Sequence, residues 1–140
     1  MNLDELRKLA TSAPFDYMAV NKETGYVTYF DLFDVVNGQV MDVGAPGRLC
    51  DLSTCHICAF TGFHDSEGDE VYGGHILQDY DSETYWLVHW DSEYLLWTAT
   101  ILGPGMIAEE LVKWNSAKLT IVGHIDQPAG LPEEVREVLK

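Results

Sequence analysis

The sequence predicts one mainly β domain: a small, partly open barrel or a strongly bent antiparallel sheet, with one internal helix and short terminal helices, α+β being the alternative. Three observations carry this. Short runs of aromatic and β-branched residues recur along the chain, each closed by Gly, Asn or Asp. Helical spacing is confined to the two ends and one internal segment. The chain has 140 residues and 46% apolar residues, including four Trp, seven Tyr and five Phe, enough for one core without disulfide staples.

In chain order, residues 1–14 form a helix and loop. Leu3, Leu6 and Ala10 keep helical spacing behind Asn2 as N-cap, and Pro14 stops the helix. The β-rich core spans 15–131. "FDYMAV" and "YVTYFDLF" are strands joined by the turn "NKETGY". Asn37-Gly38 stands between Val runs and predicts a type I′ hairpin, whose central residues need positive φ. "GAPGR" is a loop. "STCHICAFTGF" places Cys55, Ile57 and Ala59 on one strand face and His56, Cys58 and Phe60 on the other. "HDSEGDE", with Gly68 at its centre, connects that strand to the next. "YGGHILQDY", "ETYWLVHWD" and "EYLLWTATIL" are further strands. "MIAEELVKWN" has Ile107, Leu111 and Trp114 at helical spacing and predicts the internal helix. "KLTIVGHI" is the last strand, and 132–140 is a helix with Pro132 at its start.

The net charge is −15, and it is unevenly spread. Between Arg48 and Lys113 there is no Lys or Arg, while twelve carboxylates fall in that interval. A nucleic-acid backbone or an anionic lipid surface demands the opposite sign, so direct binding to either is not expected. No apolar run approaches the ~20 residues that span a bilayer. "MNLDELRKLA" lacks the apolar core of a signal peptide, and three Cys is an odd count, so reduced thiols in a cytoplasm are expected.

Several segments, in order, resemble the YopX family of small phage and prophage proteins. "YMAVNKETGYVTYF" is similar to its opening strand–turn–strand. "AFTGFHDSEGDEVYGGHIL" resembles its aromatic-Thr-Gly group, polar turn and Tyr-x-Gly segment. "YWLVHWD" and "LTIVGHIDQPAGL" resemble its following and closing strands. The resemblance runs from Tyr17 to Leu131 and implies a mainly β fold, a bacterial host cytoplasm and no catalytic residues to carry over. The chain departs from it at Tyr72-Gly73-Gly74-His75, where the family has an acidic pair, and in its wholly acidic turn.

For chemistry, Cys50, Cys55, His56 and Cys58 offer a Cys3His zinc set, but the spacing lacks a CxxC knuckle and a strand would turn Cys55 away from Cys58. Small apolar core cysteines are the plainer reading. His64, His75 and His89 lie on neighbouring predicted strands and would need to converge to hold a metal. None of GxSxG, a P-loop, HExxH or GxGxxG is present. No cofactor is called for. Trp86, Val88 and Trp90 share one face and suit either a core or an aromatic patch rimmed by acids. The expectation is therefore a non-enzymatic phage or prophage accessory protein acting through contacts with a host or phage protein. The surface singled out is Asp79, Asp81, Glu83, Asp91 and Glu93, a strip of charge that would mimic nucleic acid toward a basic groove. A solubilising coat is the bland reading of the same acids. A small-ligand or zinc module is the rival class, and open sheet edges suggest a homo-oligomer.

Overall fold

A computed structural model describes residues 2–6, 16–42, 47–103, 108–110 and 118–139. Among the described residues, nine strands form two antiparallel sheets. The first has the order β2-β1-β3-β4, from β1 (Asp16–Asn21), β2 (Val27–Asp31), β3 (Cys55–His64) and β4 (Glu70–Tyr72). The second has the order β8-β7-β6-β5-β9, from β5 (His75–Asp79), β6 (Thr84–Asp91), β7 (Leu96–Ile101), β8 (Ala108–Glu110) and β9 (Leu119–His124). The mainly β class holds, and among the described residues neither sheet closes into a barrel. Short helices include α1 (Leu32–Val36) and α2 (Glu133–Val138). No helix among the described residues is long and apolar enough to cross a membrane.

Two predicted elements differ. The Asn37-Gly38 hairpin is instead the end of α1. Asp31 and Asp34 form a reciprocal capping box, with Asp31 Oδ1 accepting from Asp34 N at 2.8 Å and Asp34 Oδ2 from Asp31 N at 3.1 Å. That cap starts a helix where the Val content favours strand. Asn37 then caps its C-terminus and Gly38 follows at φ +63°. The internal helix expected over 106–115 is strand where it is described: Ala108–Glu110 pairs with β7, Thr98 opposite Glu110. The open edge of β7 supplies backbone partners that outweigh a helical propensity which, over so short a segment, is marginal by itself. The remainder of that segment, and the "GAPGR" loop apart from Gly47 and Arg48, lie outside the described residues.

The other expected strands are present, and the helix and loop expected over 1–14 is described only at residues 2–6, Ala10 and Pro14 lying outside the described residues. Residues 3–6 are helical, and Asn2 caps them, its Oδ1 accepting from Glu5 N at 2.9 Å. Asn21 Oδ1 accepts from Glu23 N and Thr24 N and so makes the β1–β2 turn. β3 does present opposite faces: Cys55 packs with Ala19, Phe30 and Val40, whereas Cys58 and Phe60 pack around Met18, Val20 and Tyr72. Near the end of β3, Thr61 Oγ1 donates to Val71 O at 2.7 Å and accepts from Phe63 N, across an irregularity in the β3–β4 register.

The largest cluster joins the two sheets. Val71 and Phe63 from the first pack against Leu77, Trp86, Val88, Ala99 and Leu119 of the second. On another side of the second sheet, α2 buries Val135 with Leu131 against Ile76. Gly73 and Gly74 carry the chain from one sheet to the other, Gly73 N donating to Ala59 O and Gly74 N to Val88 O.

Candidate functional site

The five carboxylates singled out from sequence do not make one surface. Asp79 ends β5 opposite Thr84, with Asp81 and Glu83 in the turn between them. Asp91 ends β6 opposite Leu96, with Glu93 in the next turn. The eight residues of β6 separate the two groups, roughly 25 Å of extended chain. Each leading Asp also shapes its own turn. Asp79 Oδ1 accepts from Asp81 N, and Asp91 Oδ1 accepts from Glu93 N and Tyr94 N. The expected strip is thereby corrected to two acidic turns at opposite ends of one strand.

Negative charge concentrates elsewhere, in a cleft of about 660 Å³ between β1, β2 and α1 on one side and the β3–β4 hairpin on the other. Asp16, Asp31, Asp34, Asp69 and Glu70 line it, with Tyr29, Tyr72 and His75, and no Lys or Arg does so among the described residues. The fold forces this crowding. Asp16 and Asp31 are direct cross-strand partners, an arrangement that like charges resist. Burial, then Glu70, Asp31 and Asp34, raise the Asp16 pKa above the ordinary carboxylate value. Tyr29 is exposed and lies 5.6 Å from Tyr72, ring centre to ring centre. The Tyr72 hydroxyl donates to Glu70 Oε2 at 2.8 Å. His75 Nδ1 accepts from Tyr72 N at 2.9 Å, and burial, then His124, push its imidazole down to about 4. At neutral pH this histidine brings no positive charge to the cleft. The carboxylates are also not gathered closely enough to ligate one ion: the close acidic trio among the described residues is Asp65, Glu67 and Asp69, in the hairpin. The cleft suits a larger cation, a guanidinium or ammonium group flanked by tyrosine rings.

The zinc set read from sequence is split by β3. Cys50 and Cys55 approach to 3.9 Å between sulfurs on one side. Cys58 lies on the other, 3.9 Å from Asp126 Oδ2. Burial is the main cause pushing both the Cys50 and Cys58 thiols up to about 11, with Cys55 and then Asp42 and Asp51 adding to it at Cys50 and Asp126 at Cys58, so neither is an activated thiolate. His64, His75 and His89 do not converge: His64 meets Phe60 edge-on, His75 meets His124, and His89 Nε2 shares a hydrogen bond with Thr100. Trp86 and Val88 are core, whereas Trp90 is half exposed and meets Trp97 edge-on.

No protein-family model matches the chain, and none of the curated proteins matches it. The resemblance to the YopX family thus rests on the ordered motifs.

Sequence reasoning missed Asp16, Asp31 and Asp34 because they precede the stretch without Lys or Arg. The available signal was the Asp-x-x-Asp spacing of 31–34, which fits a helix cap as well as a strand end. It also missed His124 and Asp126, which read as the close of a strand.

Proposed function

We propose that this protein is a non-enzymatic binding protein that recognises a basic protein partner through the cleft between β2, α1 and the β3–β4 hairpin. One observation carries the reading: five carboxylates and two tyrosines line a single concavity, with no Lys or Arg lining it among the described residues. Carboxylates held this close repel one another, and an arriving Arg or Lys side chain relieves that repulsion. The motif resemblance supports a phage or prophage accessory role, with a host or phage protein as the partner. Mimicry of a phosphate strip is retained in a modified form, with the cleft replacing the two ends of β6.

The test uses an Arg-rich peptide as probe. Binding should fall as salt rises and should perturb amide signals of Asp69, Glu70 and Tyr29. Replacing Asp16 and Asp69 with Asn and Glu70 with Gln removes three charges worth about 0.5 kcal/mol each. Binding should weaken by roughly tenfold. A charge-matched control, D79N/D81N/E93Q, should bind within about twofold of the parent. If the control weakens as much as the cleft variant, net charge alone governs binding and the cleft reading fails.

A further inference from the structure

A second constellation, none of whose residues lines the acidic cleft, lies where the two sheets meet. His56 and Cys58 are alternate residues on β3. His124 ends β9, and Asp126 lies two residues beyond it. The sulfur of Cys58, a ring nitrogen of His124 and a carboxylate oxygen of Asp126 all lie within 4.8 Å of one another. His124 Nδ1 is 3.7 Å from Asp126 Oδ2, and His56 Nε2 is 3.8 Å from Asp126 Oδ1. Ligand bonds of about 2.0–2.3 Å in a tetrahedron put neighbouring donors roughly 3.3–3.7 Å apart. The two imidazole–carboxylate separations lie within a few tenths of an ångström of that range, Cys58 Sγ is 3.9 Å from Asp126 Oδ2 and within 4.8 Å of the His124 donor, and the half-exposed His56 would turn in toward this trio.

An independent feature orients His124. Its side chain is 1% exposed, and Nε2 lies 2.9 Å from the carbonyl oxygen of Gly73, an acceptor, which fixes the proton on Nε2. Nδ1 then faces the Cys58–Asp126 side with its lone pair. A carbonyl holding the far nitrogen of a histidine is the usual support behind a metal ligand. The site is reachable: His124 and Asp126 line a cavity of about 550 Å³, and Cys58 lines an adjoining groove. A Cys–His–Asp nucleophile is a poorer account. The His124 Nδ1 lone pair that would have to accept the thiol proton already accepts from Asp126 N, and the thiol's own neighbour is a carboxylate that disfavours a thiolate.

We propose that Cys58, His124 and Asp126, with His56 as fourth donor, form a zinc site that clamps the two sheets together. One sulfur, two imidazoles and one carboxylate match the donor preference of zinc over magnesium or calcium. On binding, the Cys58 thiol releases its proton to solvent and the thiolate takes the metal. The ion also takes over the Nδ1 lone pair that accepts from Asp126 N at 3.0 Å in the metal-free form. A zinc–imidazole bond exceeds one neutral hydrogen bond in strength.

The experiment is a cobalt(II) titration of the full chain, reduced and stripped of metal. One equivalent should give a thiolate-to-cobalt charge-transfer band and the intense visible absorption of tetrahedral cobalt, both displaced by zinc. Zinc at about a hundredfold above Kd should raise Tm by roughly 8 °C. Cys58→Ser should abolish the charge-transfer band, and Asp126→Asn should weaken binding by about tenfold or more. Tm of the metal-free variants establishes that each still folds, and Asp126→Asn carries the test if Cys58→Ser does not. C50S/C55S should bind as the parent does. No band in the parent, or a band that survives Cys58→Ser and disappears in C50S/C55S, overturns the assignment.

Discussion

His124 fills the space that a side chain on Gly74 would need: a β-carbon there would lie 2.5 Å from Nε2 of the histidine. The same nitrogen donates to Gly73 O, so the ring cannot simply swing aside. Gly74 also has φ +90°, which side-chain-bearing residues resist. Gly74→Ala should therefore cost about 3 kcal/mol from strain and overpacking together. Gly73 offers a graded comparison. A β-carbon there would meet the edge of the Trp97 ring at 3.0 Å, and no positive φ adds to the cost. Denaturant midpoints should place Gly73→Ala between the parent and Gly74→Ala. Equal stability of the two variants would remove the special role given to His124.

Gly38 tests the corrected turn. Gly38→Val should destabilise by about 1 kcal/mol or more, because φ +63° at the end of α1 disfavours a β-branched residue. A hairpin would give the same sign, so the discriminating variant is Asp31→Ala. It removes the side chain that accepts from Asp34 N at the start of α1 and should cost about 1 kcal/mol, which the mid-strand position of a hairpin would not require. Thermal melts of both variants check this.

Asp16 gives a pH signature. Its pKa is raised in the folded state, by burial first and by Glu70, Asp31 and Asp34 next. The folded protein thus holds this proton more tightly than the unfolded chain does. The penalty is absent below the ordinary carboxylate pKa of 3.8 and develops as pH rises through the folded value. Asp16→Asn should raise Tm at pH 7, on the scale of about 0.5 kcal/mol for relief of a like-charge cross-strand pair. The gain should vanish near pH 3. A Tm gain that is the same at both pH values would show that the ionised carboxylate is not its source.

Most strands were legible because aromatic and β-branched runs alternate between core and solvent, and the opposite faces of Cys55 and Cys58 followed from that alternation alone. The misread elements share a cause. Asn37-Gly38 and the segment around Ala108 each carry a local pattern that suits two structures, and a non-local or overlapping partner decided between them: the Asp31–Asp34 box in one case, the free edge of β7 in the other. The cleft was illegible for a different reason. Asp16, Asp31 and Glu70 are far apart in sequence, and only the placement of β1 between β2 and β3 brings them to one concavity. The interval without Lys or Arg pointed to the ends of β6, where the acids serve their own turns.

The acidic hairpin contains the one carboxylate whose structural role is clearest. Asp65 is 5% exposed. Its Oδ1 accepts from Glu67 N at 3.0 Å and Asp69 N at 2.9 Å, which builds the turn. Its Oδ2 accepts from Ile121 N at 3.0 Å, in β9 of the other sheet. Ser66 reinforces that attachment, its N donating to Leu119 O and its hydroxyl meeting that of Thr120. A hydrogen bond to a charged acceptor contributes about 1.5–3 kcal/mol, and removing the acceptor leaves three amide donors to find others. Asp65→Ala should cost about 3 kcal/mol or more, and Asp65→Asn less, because the amide oxygen can keep part of the set. The exposed neighbour Glu67, changed to Ala, should stay within about 0.5 kcal/mol of the parent. Denaturant unfolding of the three variants measures this order. Amide exchange at Ile121 should accelerate in Asp65→Ala beyond the global change in stability. If Ile121 stays as protected as the rest of β9, the carboxylate only shapes its turn and the sheets are joined by apolar packing alone.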